Sequence, residues 1–362
     1  MEFGIDPYGD QATDRTQFLY YQGFINDDKD PLILDKAMAP LLLLFPLVVI
    51  DDYVLARFFY LLILELIIIS IPLFISRFHN WKPNWLVVIF LVLTVGLLPV
   101  IVQSIITHDL IIFTIGLMTL GILCLKFNLD EFAGAAFAVV IFQPSLSGLL
   151  LAFVFWWIIR TRRWNVLWGF LMTSGLLFVI SLVLIPGWIV GFVKAYRIES
   201  IYFNYLSSGT ILTKINPVFG VKGSYLLTGA ISIILLYEWI VLRAGDFRWF
   251  LWTCSLTICS IPLIGFPFHP NSSMIMVIPF INSYIMLSQR MTGNKKIIWQ
   301  VIILASCFFT FWATYLYLIN RQLFGVLNMV LFIIIPIILI SSMYWIRWWV
   351  IKYPRMSIKH HE

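Results

Sequence analysis

Residues 126–163, KFNLDEFAGAAFAVVIFQPSLSGLLLAFVFWWIIRTRR, begin and end on basic side chains and are apolar almost throughout in between. Lys and Arg in the short loops of a membrane protein collect on the cytoplasmic side. Lys126 and the cluster Arg160, Arg162 and Arg163 therefore belong on one side, and the chain between them must cross and return. Two short helices are predicted, near 132–142 and 147–159. The break between them is written at Gln143, Pro144, Ser145 and Gly148, where Pro removes a helical donor and Gly admits a bend. Each arm has about 11 to 14 residues against the ~20 needed to cross a hydrocarbon core, so the tip must end in protein or in a water-filled cavity. A single long helix kinked at Pro144 is the competing reading.

The rest of the chain asks for the same setting. With 61% apolar and 12% charged residues and a mean hydropathy of +0.94, the 362 residues do not describe a soluble globule. Continuous Leu, Ile and Phe runs exclude the alternating pattern of a barrel. Further spans are expected near 54–75, 85–104, 110–126, 166–186, 225–242, 250–266, 274–288, 297–319 and 325–346. The fold class is thus an all-α, polytopic helical bundle of about 11 spans, counting the two-helix hairpin. Three regions follow: an outward acidic segment at 1–53, a transmembrane bundle at 54–346 and a tail at 347–362.

Charge fixes the expected sidedness. The loops that share a side with Lys126, together with the tail, hold 15 of the 24 Lys and Arg, which makes that side and the C-terminus cytoplasmic. The first 38 residues carry eight carboxylates against three basic side chains and face outward with the loop 187–224. The net charge of +6 is accounted for by these orienting loops, so no nucleic-acid partner is expected. An outward N-terminus with no apolar segment before it is expected to follow a further helix upstream of residue 1, with unaided translocation of the short tail by the first span at 54–75 as the alternative. The four cysteines, Cys124, Cys254, Cys259 and Cys307, lie in apolar segments without metal-ligand spacing and read as small core residues.

Several outward features could carry chemistry. Pro40–Ile50 is too short to cross and reads as an interfacial or re-entrant helix ahead of Asp51 and Asp52. The loop 187–224 is rich in Tyr, Trp and Phe and carries Lys194, Arg197, Lys214 and Lys222, so it suits the membrane surface, where cations could hold a lipid phosphate. His108 and Asp109 form a short outward turn; a neutral His beside a carboxylate can orient a hydroxyl, while Asp109 alone suits a helix-start cap. His269 lies in a second outward turn, GFPFHPNSS. Within the spans, Arg57 is placed to snorkel, and Glu65 is expected to be a buried carboxylate, a proton site or a structural acid kept neutral.

Read in order, GIDPYGDQ at 4–11, the Pro-bearing apolar stretch before the next span, AGAAFAVVIFQPS at 133–145, the basic RTRRW at 160–164, and LVLIPGW at 182–188 before a long outward loop resemble glycosyltransferase family 87. That family belongs to the C-type superfamily of integral-membrane glycosyltransferases. The resemblance implies inverting transfer of a hexose, mannose-like, from a polyprenyl-phosphate carrier to a lipid or glycan acceptor outside the cell membrane. The partners it implies are that carrier, that acceptor and membrane lipids. It implies no cofactor beyond a possible divalent metal, and the sequence offers no metal-site spacing. The family's general base is an Asp in the first outward loop, upstream of the segment that GIDPYG resembles; the nearest carboxylates here are Asp6 and Asp10, with Tyr8 beside them. Where the family commonly has Lys-Pro-Gln at the hairpin tip, this chain has Gln143, Pro144 and Ser145. Gln143 can offer only neutral hydrogen bonds, which shifts donor-phosphate binding toward Lys194 and Arg197. His108, Asp109 and His269 complete the expected donor- and acceptor-binding set. A degenerate, non-catalytic member of the same fold and a secondary transporter are the competing classes. A transporter would show paired broken helices, and the QPS break has no second copy in the sequence.

Overall fold

The computed structural model describes residues 9, 11–12, 14–15, 18, 41–50, 52–107, 109–194, 207–242, 246–266, 269–291, 293 and 295–351. Every regular element among them is helical. A 3-10 turn at Leu42–Leu44 leads into α1 (Phe45–Val48), which is followed by α2 (Tyr53–Phe78), α3 (Trp85–Gly96), α4 (Pro99–Ile106) and α5 (Ile111–Lys126). The hairpin is α6 (Asp130–Val140) and α7 (Pro144–Thr161), followed by α8 (Trp164–Leu184). The next described elements are α9 (Ser208–Ile215), α10 (Pro217–Val241) and α11 (Phe247–Ile264). A 3-10 segment at Pro270–Met276 leads into α12 (Val277–Ser288), then α13 (Lys296–Asn320) and α14 (Phe324–Met329). A π turn at Val330–Ile334 joins α14 to α15 (Ile335–Ile351).

Each of the 11 predicted spans coincides with helix, but their lengths differ. Seven helices among the described residues are long and apolar enough to cross a membrane, or eight if the bent pair α3–α4 is one span. The others, α5, α6 and α12, are shorter. The 85–104 span is broken, not continuous: α3 and α4 meet at 58°. Pro99 forces the preceding Leu98 into extended backbone (φ −61, ψ 138) and opens α4 as its first residue. The carbonyl of Leu97, freed at the bend, accepts from the Trp312 indole at 2.8 Å, so a neighbouring helix satisfies it.

The hairpin forms, with unequal arms. α6 has 11 residues and rises about 16 Å, while α7 starts at Pro144, earlier than predicted, and its 18 residues are long enough to cross. Pro144 starts a helix and does not kink one, because its missing N–H costs nothing in the first turn. Both oxygens of Asp130 accept from Arg163, which closes the open end of the hairpin. At Gly134 and Gly169 the backbones of α6 and α8 meet directly: a Cβ on either glycine would overlap the other helix's main chain.

The centre of the bundle is α11, buried continuously from Trp249 to Leu263. Its Thr253, Thr257 and Ser260 hydroxyls donate to carbonyls one turn back at 2.8–3.0 Å, so these polar groups enter the interior already satisfied. The Trp252 indole reaches the carbonyl of Met343 at 2.9 Å, and buried Glu238 on α10 takes hydrogen bonds from Tyr344 and Arg347, both at 3.1 Å. Glu65 does not enter this interior. It is exposed on the outer surface of α2, as is Arg57, because a helix apolar all round carries no signal of which face is buried. Cys124, Cys254 and Cys259 are buried as expected, whereas Cys307 is exposed.

The turns gather at two ends. At one, Lys126 donates to the carbonyl of Arg77 and to Asn80 Oδ1, Arg163 to the carbonyl of Leu125, and Gln289 to the carbonyl of His79. The basic loops therefore share one end, the grouping that charge counting requires. The other end holds the turns at Thr107 and Asp109–Leu110, at 141–144, and at Gly265 and His269–Asn271.

Candidate functional site

The second end contains the residues singled out from the sequence. α4 closes at Thr107, whose hydroxyl donates back to the carbonyl of Gln103 at 3.0 Å. Leu110, not the expected Asp109, is the N-cap of the next helix, and Asp109 Oδ1, one residue earlier, accepts from the Ile111 N–H at 3.1 Å. Its other oxygen is held from across the bundle. The side-chain amide of Asn271 donates to Asp109 Oδ2 at 3.2 Å and to Thr107 Oγ1 at 3.1 Å, and Asn271 itself is only 2% exposed. His269 caps the 3-10 segment by accepting from the Asn271 N–H through Nδ1 at 3.4 Å.

Gln143 joins the same region through α5. The Thr114 hydroxyl donates to Gln143 Oε1 at 2.7 Å, which leaves the amide N–H groups of Gln143 as the donors at the hairpin tip. The tip is roofed as well: Trp188, at the start of the helical turn 188–194, packs with Phe142, Leu41 and Leu42. The apolar segment at 41–48 and the turn at 188–194 therefore meet over the tip.

Asp109, Gln143 and His269 are thus brought to one end, tied by Asn271 and Thr114. Lys194 is exposed at the end of the 188–194 turn and makes no hydrogen bond to them among the described residues. Asp6, Tyr8, Asp10, His108 and Arg197 lie outside the described residues. No group of three metal-binding side chains gathers among the described residues; Asp109 and His269 are the two in this cluster.

Behind the turn lies a cavity of about 560 Å3 that sequence reasoning missed. It runs between α3–α4, the 270–277 segment, α13 and the α14–α15 helix, and its wall is apolar, relieved by the hydroxyls of Thr94, Ser273, Ser306, Thr310, Thr314 and Tyr315. No charged side chain lines it. The cavity and the polar cluster share their framework: Ser273 and Met274 in its wall lie two and three residues after Asn271, and Tyr315 donates to Gln103 Oε1 on α4 at 2.7 Å. Asn271 left a faint trace in the sequence as an Asn inside HPNSS, but its neighbours are themselves turn formers and mask it. The cavity left none, because its wall comes from four distant segments.

Fold and site together define an α-helical membrane protein with an apolar cavity under a polar turn. No family model, curated protein or solved structure matches the chain.

Proposed function

We propose that the protein is a membrane glycosyltransferase that moves a hexose from a polyprenyl-phosphate carrier to a lipid or glycan acceptor at the polar-turn end of the bundle. The observation that carries this reading is the cavity of about 560 Å3 whose wall includes Ser273 and Met274, in the same 3-10 segment as Asn271, which ties Asp109 to the His269 turn. An isoprenoid chain needs an uncharged slot at membrane depth, and its phosphate and sugar need donors and a carboxylate at the rim. The volume lies within the ~300–1,000 Å3 of sites that enclose small ligands. The family resemblance supplies the direction of the reaction and the outward face.

In this reading a carboxylate takes the proton of the acceptor hydroxyl as its oxygen attacks the anomeric carbon. The bond from that carbon to the phosphate oxygen breaks, and polyprenyl phosphate leaves with the electron pair, with inversion at the sugar. The Gln143 amide and the His269 imidazole are the side chains of this end closest in kind to what the leaving phosphate needs, with Lys194 and Arg197 as the cations. Asp6 and Asp10 are the bases implied by the resemblance; Asp109 is the carboxylate of the described cluster.

The test is transfer from radiolabelled polyprenyl-phosphate sugars in membranes containing the protein. Transfer is expected, and loss of the base lowers it roughly 10²–10⁴-fold, so Asp6→Asn, Asp10→Asn and Asp109→Asn separate the three carboxylates. Absence of transfer from every donor tried, with the protein inserted, would overturn the reading.

A lipid-translocating reading rests on one separate observation: interrupted helices form the cavity wall, α3–α4 bent by 58° and the last helix carrying a π turn. Movement of a labelled lipid between leaflets of proteoliposomes without any sugar transfer would favour it.

A further inference from the structure

We propose that the outer face of α2 is a self-association surface, on which a second copy of this chain packs its own α2 so that Glu65 of each copy meets Glu65 of the other. The surface includes none of the residues of the proposed transfer site and does not depend on that reading.

Glu65 sits where a carboxyl group is hardest to leave alone. It is half-way along the 26 residues of α2, so the helix ends at Tyr53 and Phe78 lie about 18 and 20 Å away along the axis. It is exposed on the outside of the bundle and takes no hydrogen bond or ion pair from any described residue. α2 is long and apolar enough to cross a membrane, and hydrocarbon at its middle has nothing with which to solvate a carboxyl group. The short stem of Glu65 cannot carry the group to either interface, an escape open to a long side chain such as Arg57 near the start of the helix. Ionisable groups at membrane depth are paired or face water. Glu65 therefore needs a polar group brought to its depth from outside the chain.

The surroundings of Glu65 are shaped for another helix. Leu55, Phe58, Leu62, Glu65 and Ile69 follow one another at alternating spacings of three and four and are all exposed, while Leu64, Ile68, Ile71 and Ile75 form the stripe that packs into the bundle. That alternation is the seam of a left-handed helix pair, and a lone polar residue within such a seam fixes its register. Two copies inserted with the same topology lie the same way up, so the pairing that closes on itself has a two-fold axis along the membrane normal. Such an axis sets each seam position opposite itself at equal depth, which brings Glu65 to Glu65. A protonated carboxyl group carries one donor and spare acceptor capacity, so two of them satisfy each other without a counter-ion. Hydrogen bonds between helices favour association where apolar side chains meet lipid tails equally well.

The experiment places the full chain in phosphatidylcholine liposomes and reads energy transfer between copies carrying donor and acceptor dyes on a C-terminal tag, as the protein is diluted in lipid. Disulfide formation in a Cys307→Ser background locates the contact: Leu62→Cys on the seam should cross-link two copies, and Leu176→Cys, exposed on α8, should not. Glu65→Leu and Glu65→Gln separate the chemistry, since Leu removes the hydrogen bond and Gln keeps a donor and an acceptor without a charge. Glu65 faces out of the bundle, so neither change disturbs its packing. Reversible association that cross-links through Leu62→Cys, is weakened roughly tenfold by E65L and is retained by E65Q supports the proposal. Copies that stay monomeric at every dilution, cross-linking through Leu176→Cys and not Leu62→Cys, or association that E65L leaves unchanged overturns it. Equal loss in E65Q and E65L also overturns it, because a self-paired carboxyl group does not need a charge.

Discussion

Asn271 spends one side-chain amide on two acceptors of a distant segment, Thr107 and Asp109, and does so buried. Removing it leaves a carboxylate oxygen and a hydroxyl short of a donor, so Asn271→Ala should cost about 1–3 kcal/mol, read as a lower unfolding midpoint in detergent. His79 gives a second residue-scale expectation. Burial lowers its folded pKa from the ordinary 6.5 to about 4, so between those values the unfolded chain binds more protons and stability rises with pH. Stability should therefore be flat above pH 6.5 with respect to this group and fall as pH drops from 6.5 toward 4, by about 3 kcal/mol at most. Unfolding midpoints across that window check the slope, and His79→Gln should remove it.

Among the elements, the α6–α8 contact is the least forgiving. Gly134→Ala puts a methyl group into the backbone of Val166 and Phe170 and should cost at least ~3 kcal/mol, seen as loss of the monodisperse peak on size exclusion. Gly148, on α7, has open space around it, so Gly148→Ala should leave that peak intact and raise the midpoint by about 0.5–1 kcal/mol equivalent. These helices also show how far sequence carries. The hairpin was legible because Lys126 and Arg163 had to share an end, an argument about charge that does not need side-chain packing. The bend at Leu98 was missed although Pro99 stood in plain view, since an apolar run that includes a Pro reads equally well as one span. Glu65 was misplaced because no polar stripe marks the azimuth of α2.

For the molecule as a whole, the basic and polar turns lie at opposite ends, and a membrane-impermeant thiol reagent on intact cells tests which is which. In a background carrying Cys307→Ser, Thr107→Cys should label from outside and Asn128→Cys only after the membrane is opened. The reverse pattern would invert the expected topology. Of the candidate site, the polar cluster was legible, because Asp109, Gln143 and His269 are polar residues at breaks between apolar runs. The cavity behind it was not, since it exists only once α4, α13 and the last helix are assembled. The π turn at Val330–Ile334 bears on that assembly. Leu327 before it, Leu331 within it and Ile338 and Leu339 after it line the cavity; farther on, Met343 and Arg347 are fixed to Trp252 and Glu238. A π turn holds one residue more than the α turn it replaces, and one residue of an α-helix turns the side chains by about 100°. Deleting a single residue there would rotate one half of the helix by more than a quarter turn against the other, so that the cavity wall and the ion pair could not both stay in phase.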